Sequence, residues 1–251
     1  MNPNIDAVIE IAGLRFSYEP ESYSEPTLED ISFTVGRGEF VSIVGKSGCG
    51  KSTLLKILLG LLKPDCGSIR LSGTSRKDIA YVSQKPMLLP WRTVLQNALL
   101  GLEARGEIGK GYFDRVHALL EEYGVLAQAN QLPKELSGGE EARIAVVRAL
   151  AVHPKILFCD EPFSAVDFVT RQSLSIAFRG LCQRIGSTVV FVTHNIEEAM
   201  FLSDRVLVLS PRPAKLVSEH PMSALPARRS YESFRSSEEY WPIFDSIWRS
   251  L

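Results

Sequence analysis

Gly45-Lys46-Ser47-Gly48-Cys49-Gly50-Lys51-Ser52 sets two lysines and two hydroxyls among three glycines, in the spacing G-x-x-x-x-G-K-[ST]. Such a loop can hold a polyphosphate. Glycine permits positive φ and close backbone approach, so several N–H groups can converge on phosphate oxygens. A helix starting near Lys51 adds the positive end of its dipole. Lys51 brings a full charge to the β- and γ-phosphates, Ser52 offers a hydroxyl to Mg²⁺, and Thr53 is the next candidate contact. On its own the motif says nucleoside triphosphate. A glycine-rich turn matching by chance is the rival reading, and the strand before it and helix after it argue against that.

Ile156-Leu157-Phe158-Cys159 is a short apolar run that ends in Asp160 and Glu161. Sites in open α/β sheets lie outside the carboxyl ends of the strands. Asp160 therefore suits the shell of a Mg²⁺ ion, through water, and Glu161 can accept a proton from an attacking water. An acidic turn closing a strand would look the same; the phosphate loop upstream decides between them.

These groups need strands to carry them. Val8–Tyr18, Thr27–Val35 and Phe40–Val44 read as strands. A helix follows from Lys51, with its stop expected at Lys63-Pro64-Asp65. Ser68–Leu71 and Ile79–Val82 are further strands. From Thr93 to about Leu150 the pattern is helical, and strands return at Ile156–Cys159, Thr188–Thr193 and Arg205–Leu209. Helices near Thr170–Arg184 and Asn195–Leu202 separate them, so parallel βαβ units are implied. In the tail, Tyr240, Phe244, Ile247, Trp248 and Leu251 have helical spacing. Ser236 with Glu239 predicts a capping box, and Pro242 predicts an interruption or kink. That helix docks on its own domain or meets a partner.

Composition narrows the setting. The chain has 251 residues, 45% hydrophobic and 23% charged, with a net charge of −1. That balance is an ordinary globular one and lacks a basic nucleic-acid footprint. Cys49, Cys66, Cys159 and Cys182 have no zinc spacing and read as free thiols. MNPNIDAVIE does not read as a signal peptide. No apolar run approaches the ~20 residues of a membrane span, so any membrane role passes through a partner.

Leu136-Ser137-Gly138-Gly139-Glu140, lying between the two chemical clusters, resembles the signature sequence of ABC ATPases. The resemblance extends over most of the chain. Ser164-Ala165-Val166-Asp167 looks like the D-loop, Gln84 stands where the family has its Q-loop glutamine, and His194 where it has its switch histidine. Tyr18 stands where the family has an adenine-stacking aromatic, with Tyr23 as the rival. Glu140 departs from the pattern, which usually has Gln. Leu88-Leu89-Pro90-Trp91 and Leu209-Ser210-Pro211-Arg212-Pro213 look like the importer ATPases of the nitrate, sulfonate, taurine and thiamine-precursor pyrimidine group.

The resemblance implies an α/β fold, a P-loop NTPase core with an N-terminal antiparallel β region and a helical subdomain insertion. It places the core at 1–85 and 153–210, the helical subdomain at 86–152 and a C-terminal extension at 211–251. It implies an ATPase using ATP and Mg²⁺, working as a head-to-tail dimer. Each site would take Lys51, Ser52, Gln84, Asp160, Glu161 and His194 from one copy, and Ser137, Gly138 and Gly139 from the other, with Asp167 alongside. Ser52, Gln84 and Asp160 would hold the metal; Glu161, His194, Gln84 and Lys51 would be catalytic. Partners would be a second copy, integral membrane permease subunits and an extracytoplasmic solute-binding protein, at the cytoplasmic face of the membrane and without nucleic acid. Gln84 would sense nucleotide, and the stretch from Pro86 to Trp91 would pass its movement to the permease, or else Leu88, Leu89 and Trp91 fill space between lobes. An exporter ATPase and a non-transport ABC ATPase are the alternatives. Against the latter, the chain has one phosphate loop and no sustained heptads. The solute is not encoded here.

Overall fold

Ala7–Phe16 (β1) buries Ile9, Ile11, Leu14 and Phe16 in an alternation that bulges interrupt, as a strand covered on one face does. It pairs antiparallel with Leu28–Gly36 (β2) on one side. In the computed structural model, which describes residues 6–18, 25–107, 109–225 and 230–251, the chain divides into two compact units. Met1–Thr74 with Thr188–Leu251 forms the first, and Ser75–Ser187 the second.

The first unit continues with Phe40–Gly45 (β3), buried at every position, and Lys51–Leu58 (α1). Cys66–Leu71 (β4) completes the antiparallel sheet in the order β2-β1-β4. In the second unit, Ile79–Val82 (β5) is followed by Val94–Arg105 (α2), Lys110–Glu122 (α3) and Gly138–Leu150 (α4). Ile156–Asp160 (β6) then pairs in parallel with β5, and Phe168–Ile185 (α5) closes that unit. Back in the first unit, Thr188–Val192 (β7), Ile196–Leu202 (α6) and Arg205–Leu209 (β8) follow. Both strands pair in parallel with β3, and all three are almost wholly buried. Near-continuous apolar runs are what strands covered on both faces require. Leu216–Pro221 (β9) adds an antiparallel edge to β8, and Tyr231–Arg235 (α7) and Tyr240–Ser250 (α8) end the chain. Among the described residues no helix is long and apolar enough to cross a membrane.

The expected α/β fold with its antiparallel region and helical insertion is what is observed. Three local expectations change. The first helix does not reach Lys63. Gly60 takes φ +71°, its N–H closes on Ile57 O at 2.9 Å, and Leu61 N–H closes on Lys56 O at 2.9 Å. This left-handed ending satisfies the last carbonyls four residues early. Ser236 opens no capping box. It ends α7, and its hydroxyl donates to Glu232 O at 2.9 Å. Pro242 does not break α8 because it lies in the first turn, where an N–H has no intrahelical partner to lose.

The tail docks through aromatic contacts. Phe201 of α6 is fully buried, stacked on Tyr231 with ring centroids 3.8 Å apart and edge-on to Phe234 at 5.3 Å. Phe234 in turn meets Tyr240 edge-on at 5.3 Å. Arg235 forms a two-pronged ion pair with Glu197, which precedes Phe201 on α6. Phe201→Ala is expected to lower unfolding free energy by about 3–5 kcal/mol, the usual cost of emptying a buried aromatic site. Trp241→Ala, at an exposed position, should change it by less than ~0.5 kcal/mol. Denaturant unfolding of both variants checks the contrast.

Candidate functional site

β3 delivers the chain into Lys46–Gly50, and α1 receives it with Gly50 as its N-cap. Gly48 has φ +77° and Gly50 φ +129°. A Cβ on Gly50 would approach Leu28 Cδ2 to 2.8 Å, so only glycine lets the loop pass this close to β2. A Cβ on Gly48 meets nothing within 4 Å, so space is open on that side of the loop. Lys51 is buried, and its Nζ donates to Gly45 O at 2.7 Å and Lys46 O at 3.0 Å. Arg212 Nε donates to Gly48 O at 3.1 Å and braces the loop from outside. Lys46 and Ser47 are exposed, whereas Cys49 is buried and its backbone N–H closes the turn on Lys46 O at 3.2 Å. A glycine-lined loop with an ammonium at its base suits a polyphosphate.

Tyr18 lies exposed beside this loop's helix. Its hydroxyl and Thr53 Oγ1 are hydrogen-bonded at 3.0 Å, and its ring stands edge-on to Phe16. Tyr23 lies outside the described residues.

His194 sits in the turn between β7 and α6. Thr193 Oγ1 donates to Glu198 Oε2 at 2.6 Å and accepts from Asn195 N–H at 3.1 Å. Asn195 caps α6 by accepting from Glu198 N–H at 3.0 Å. Residues on both sides of His194 are therefore tied down. His194 lines one cavity of about 320 Å³ together with Gly45, Lys46, Ser47, Trp248 and Leu251. The histidine and phosphate loop thus share a space. The tail helix joining them was not foreseen.

The second unit carries the carboxylates. Asp160 is buried at the end of β6. Tyr81 of β5 hydrogen-bonds to it, and the phenol is pushed up to about 12, by burial first and then by the Asp160 charge. Glu161 follows with φ +46°, a costly backbone position for a non-glycine residue and one that clusters at functional sites. Gln84 Nε2 donates to Glu161 Oε2 across 3.4 Å. Asp167 caps α5 by accepting from Thr170 N–H at 3.0 Å, and this backbone bond holds its carboxyl below the usual range. Gly138 and Gly139 pass close to the same turn: a Cβ on either would lie 3.8 Å from Ala165 Cβ or 3.7 Å from Ala165 O. Gly138 and Gly139 thus adjoin the turn that leads on to Asp167.

Oxygen donors from Ser52, Asp160 and the Gln84 amide are the type that a hard divalent ion takes. Three supporting residues escaped the sequence reading. Tyr81 is one. Asn97, fully buried, accepts from Leu89 N–H at 2.7 Å and donates to the carbonyls of Leu89, Arg92 and Thr93. Arg148 donates to Pro86 O at 2.7 Å and Met87 O at 3.0 Å. Together Asn97 and Arg148 shape the segment after Gln84, leaving Trp91 72% exposed. A polar residue on an otherwise apolar helix face was the available signal for Asn97.

Residues 28–164 match the family model described as ABC transporter. An aliphatic sulfonates import ATP-binding protein of Pseudomonas syringae pv. tomato is 46% identical over 78% of this chain and 81% of its own length. Its counterpart in Burkholderia pseudomallei strain K96243 is 38% identical over 91% of this chain and 68% of its own length. Among solved structures, a bacterial ABC transporter cassette described as dimeric, MJ0796, superposes with a TM-score of 0.76. It is 29% identical, covering 86% of this chain and 99% of that one. The same cassette in a post-hydrolysis state bound to ADP and Pi has a TM-score of 0.76 at 30% identity, with the same coverage.

Glu140 proves to be structural support for Ser137. Its Oε2 accepts from Ser137 N–H and from the Ser137 hydroxyl, both at 2.7 Å, while Oε1 accepts from Gln128 Nε2 at 2.9 Å. The Ser137 backbone bond, then its hydroxyl, holds the Glu140 carboxyl below the usual glutamate range. A group depressed in this way stabilises the fold above its unfolded pKa and loses that effect as pH falls through its folded pKa. In Glu140→Gln the Gln amide can still accept from Ser137, and its NH₂ can donate to Gln128 Oε1, which is buried without a partner, if Gln128 flips. Glu140→Gln should therefore fold normally and lose less stability than the parent below the ordinary glutamate pKa. Thermal unfolding against pH checks this; parallel curves for the two proteins would refute it.

Proposed function

The chain belongs to the ABC transporter family, and we propose that it is the ATP-hydrolysing subunit of an importer. Two copies close on two ATP molecules and drive a separate membrane permease. The observation that carries this reading is the buried Lys51 inside a glycine loop that opens into the same space as His194.

In this reading Lys51 and the loop N–H groups bind the β- and γ-phosphates, and Tyr18 stacks on the base. Ser52, Asp160 and Gln84 hold Mg²⁺, which supplies charge screening to the phosphates when bound. Glu161 takes a proton from water as the water oxygen bonds to the γ-phosphorus and the bond to ADP breaks. Gln84 orients Glu161 through the 3.4 Å contact. His194 holds the γ-phosphate and the attacking water in line. Ser137 and Gly139 of the second copy complete the phosphate shell, with Asp167 alongside. Such chemistry asks the protein for position and charge rather than covalent steps.

The relatives' names support import and a sulfonate-like solute; in this reading an extracytoplasmic binding protein delivers it. Solute contacts belong to those partners, at a membrane whose cytoplasmic face this subunit would occupy. The exposed Trp91, on a segment anchored by Arg148 and Asn97, suits an anchor for the permease.

Glu161→Gln should bind ATP yet turn it over about 10²–10⁴-fold more slowly, the usual loss with a general base. It should also accumulate as an ATP-bound dimer on size exclusion. Near-normal turnover in the purified variant would overturn the assignment.

A further inference from the structure

The tail helix has two apolar sides. Tyr240 and Ile247 of α8 are buried against its own unit. Trp241 and Trp248 remain 66% and 64% exposed, and Phe244 stacks on Trp248. Two exposed tryptophans on one short helix are costly unless something covers them. Trp248 is the one that reaches the candidate site, lining the cavity of Gly45, Lys46, Ser47 and His194 together with Leu251.

A matching surface lies on the second unit. Gly138 and Gly139 adjoin Ala165, and two residues beyond Ala165, Asp167 caps α5. The first turn of that helix presents Val169, 72% exposed, next to Phe168. So each chain carries an apolar patch beside its phosphate loop and another at the start of the helix that follows the turn its signature glycines adjoin. In a two-fold pairing of glycines with loop, any contact between the loop-side patch and the Val169 turn would occur twice, because contacts in such a pair are reciprocal.

We propose that Trp248 of one copy packs on the Val169 turn of a second copy, so that the tail helix forms part of the ATP-dependent interface and walls the site beside His194. This rests on the paired-copy reading above. It makes Trp248 an interface anchor rather than a cap over its own site.

The test uses full-length chains carrying Glu161→Gln and Cys66→Ser, since Cys66 is exposed and the other three cysteines are buried. Trp248→Cys goes into one chain and Val169→Cys into another. With ATP and a mild oxidant, the mixture should give a covalent dimer many-fold above either chain alone, and little without ATP. Trp248→Ala should weaken the ATP-dependent dimer about tenfold in sedimentation, matching a hot-spot loss, while Trp248→Phe recovers most of it. A parent that dimerises with ATP but gives no cross-link overturns the pairing. So does Trp248→Ala that dimerises as well as the parent, or better. A parent that stays monomeric with ATP overturns the functional reading itself, and the pairing falls with it.

Discussion

Lys51 places an ammonium where little water reaches it, and the carbonyls of Gly45 and Lys46 make that position tolerable. Much of the first unit follows from that placement. The carbonyls point at Nζ only because the chain turns back on itself between Gly45 and Lys51. The turn is possible only with glycine where β2 crowds the backbone. It needs fixed ends, which come from β3, buried at every position between β7 and β8, and from α1. The same strands set His194 just past the C-terminal end of β7, beside the loop.

A second demand is met independently in the other unit. Carboxylates meant to work near phosphate must be held still although they repel it. Asp160 is buried and tied to Tyr81, and Glu161 is held in a strained backbone position with Gln84 on its side chain. Asp167 and Ser137 each cap a helix, so their polar groups already have a direction. Each half is braced by its own contacts. The proposed mechanism then leaves closure to ATP and to a second copy, which needs rigid halves and an apolar seam that can part.

How much of this was legible in the sequence depends on how local the cause was. The phosphate loop, the acidic strand end and the strands Ile79–Val82 and Arg205–Leu209 were readable, because residue type and spacing alone dictate them. Helix ends read from breakers were less so. Pro64 drew the predicted end of α1, but Gly60 reached the left-handed turn first. Pro242 counted as a breaker although the first helical turn accepts it. β9 went unseen because its Leu216–Pro221 run includes a glutamate, a histidine and a proline; pairing with β8 makes it a strand, not its composition. Tyr81, Asn97 and Arg148 act through contacts with residues distant in sequence, which no local pattern announces.

The central claim is that one site takes groups from two copies. Mixing a Lys51→Ala chain with a Ser137→Ala chain tests it most directly. In a head-to-tail pair the mixed dimer carries one site with both defects and one intact site. ATP-driven closure and hydrolysis in the mixture should then rise above the level of either variant alone, and the gain should grow with protein concentration. A mixture whose activity equals the average of its two components at every concentration would mean that each chain completes its own site, and the account would be wrong.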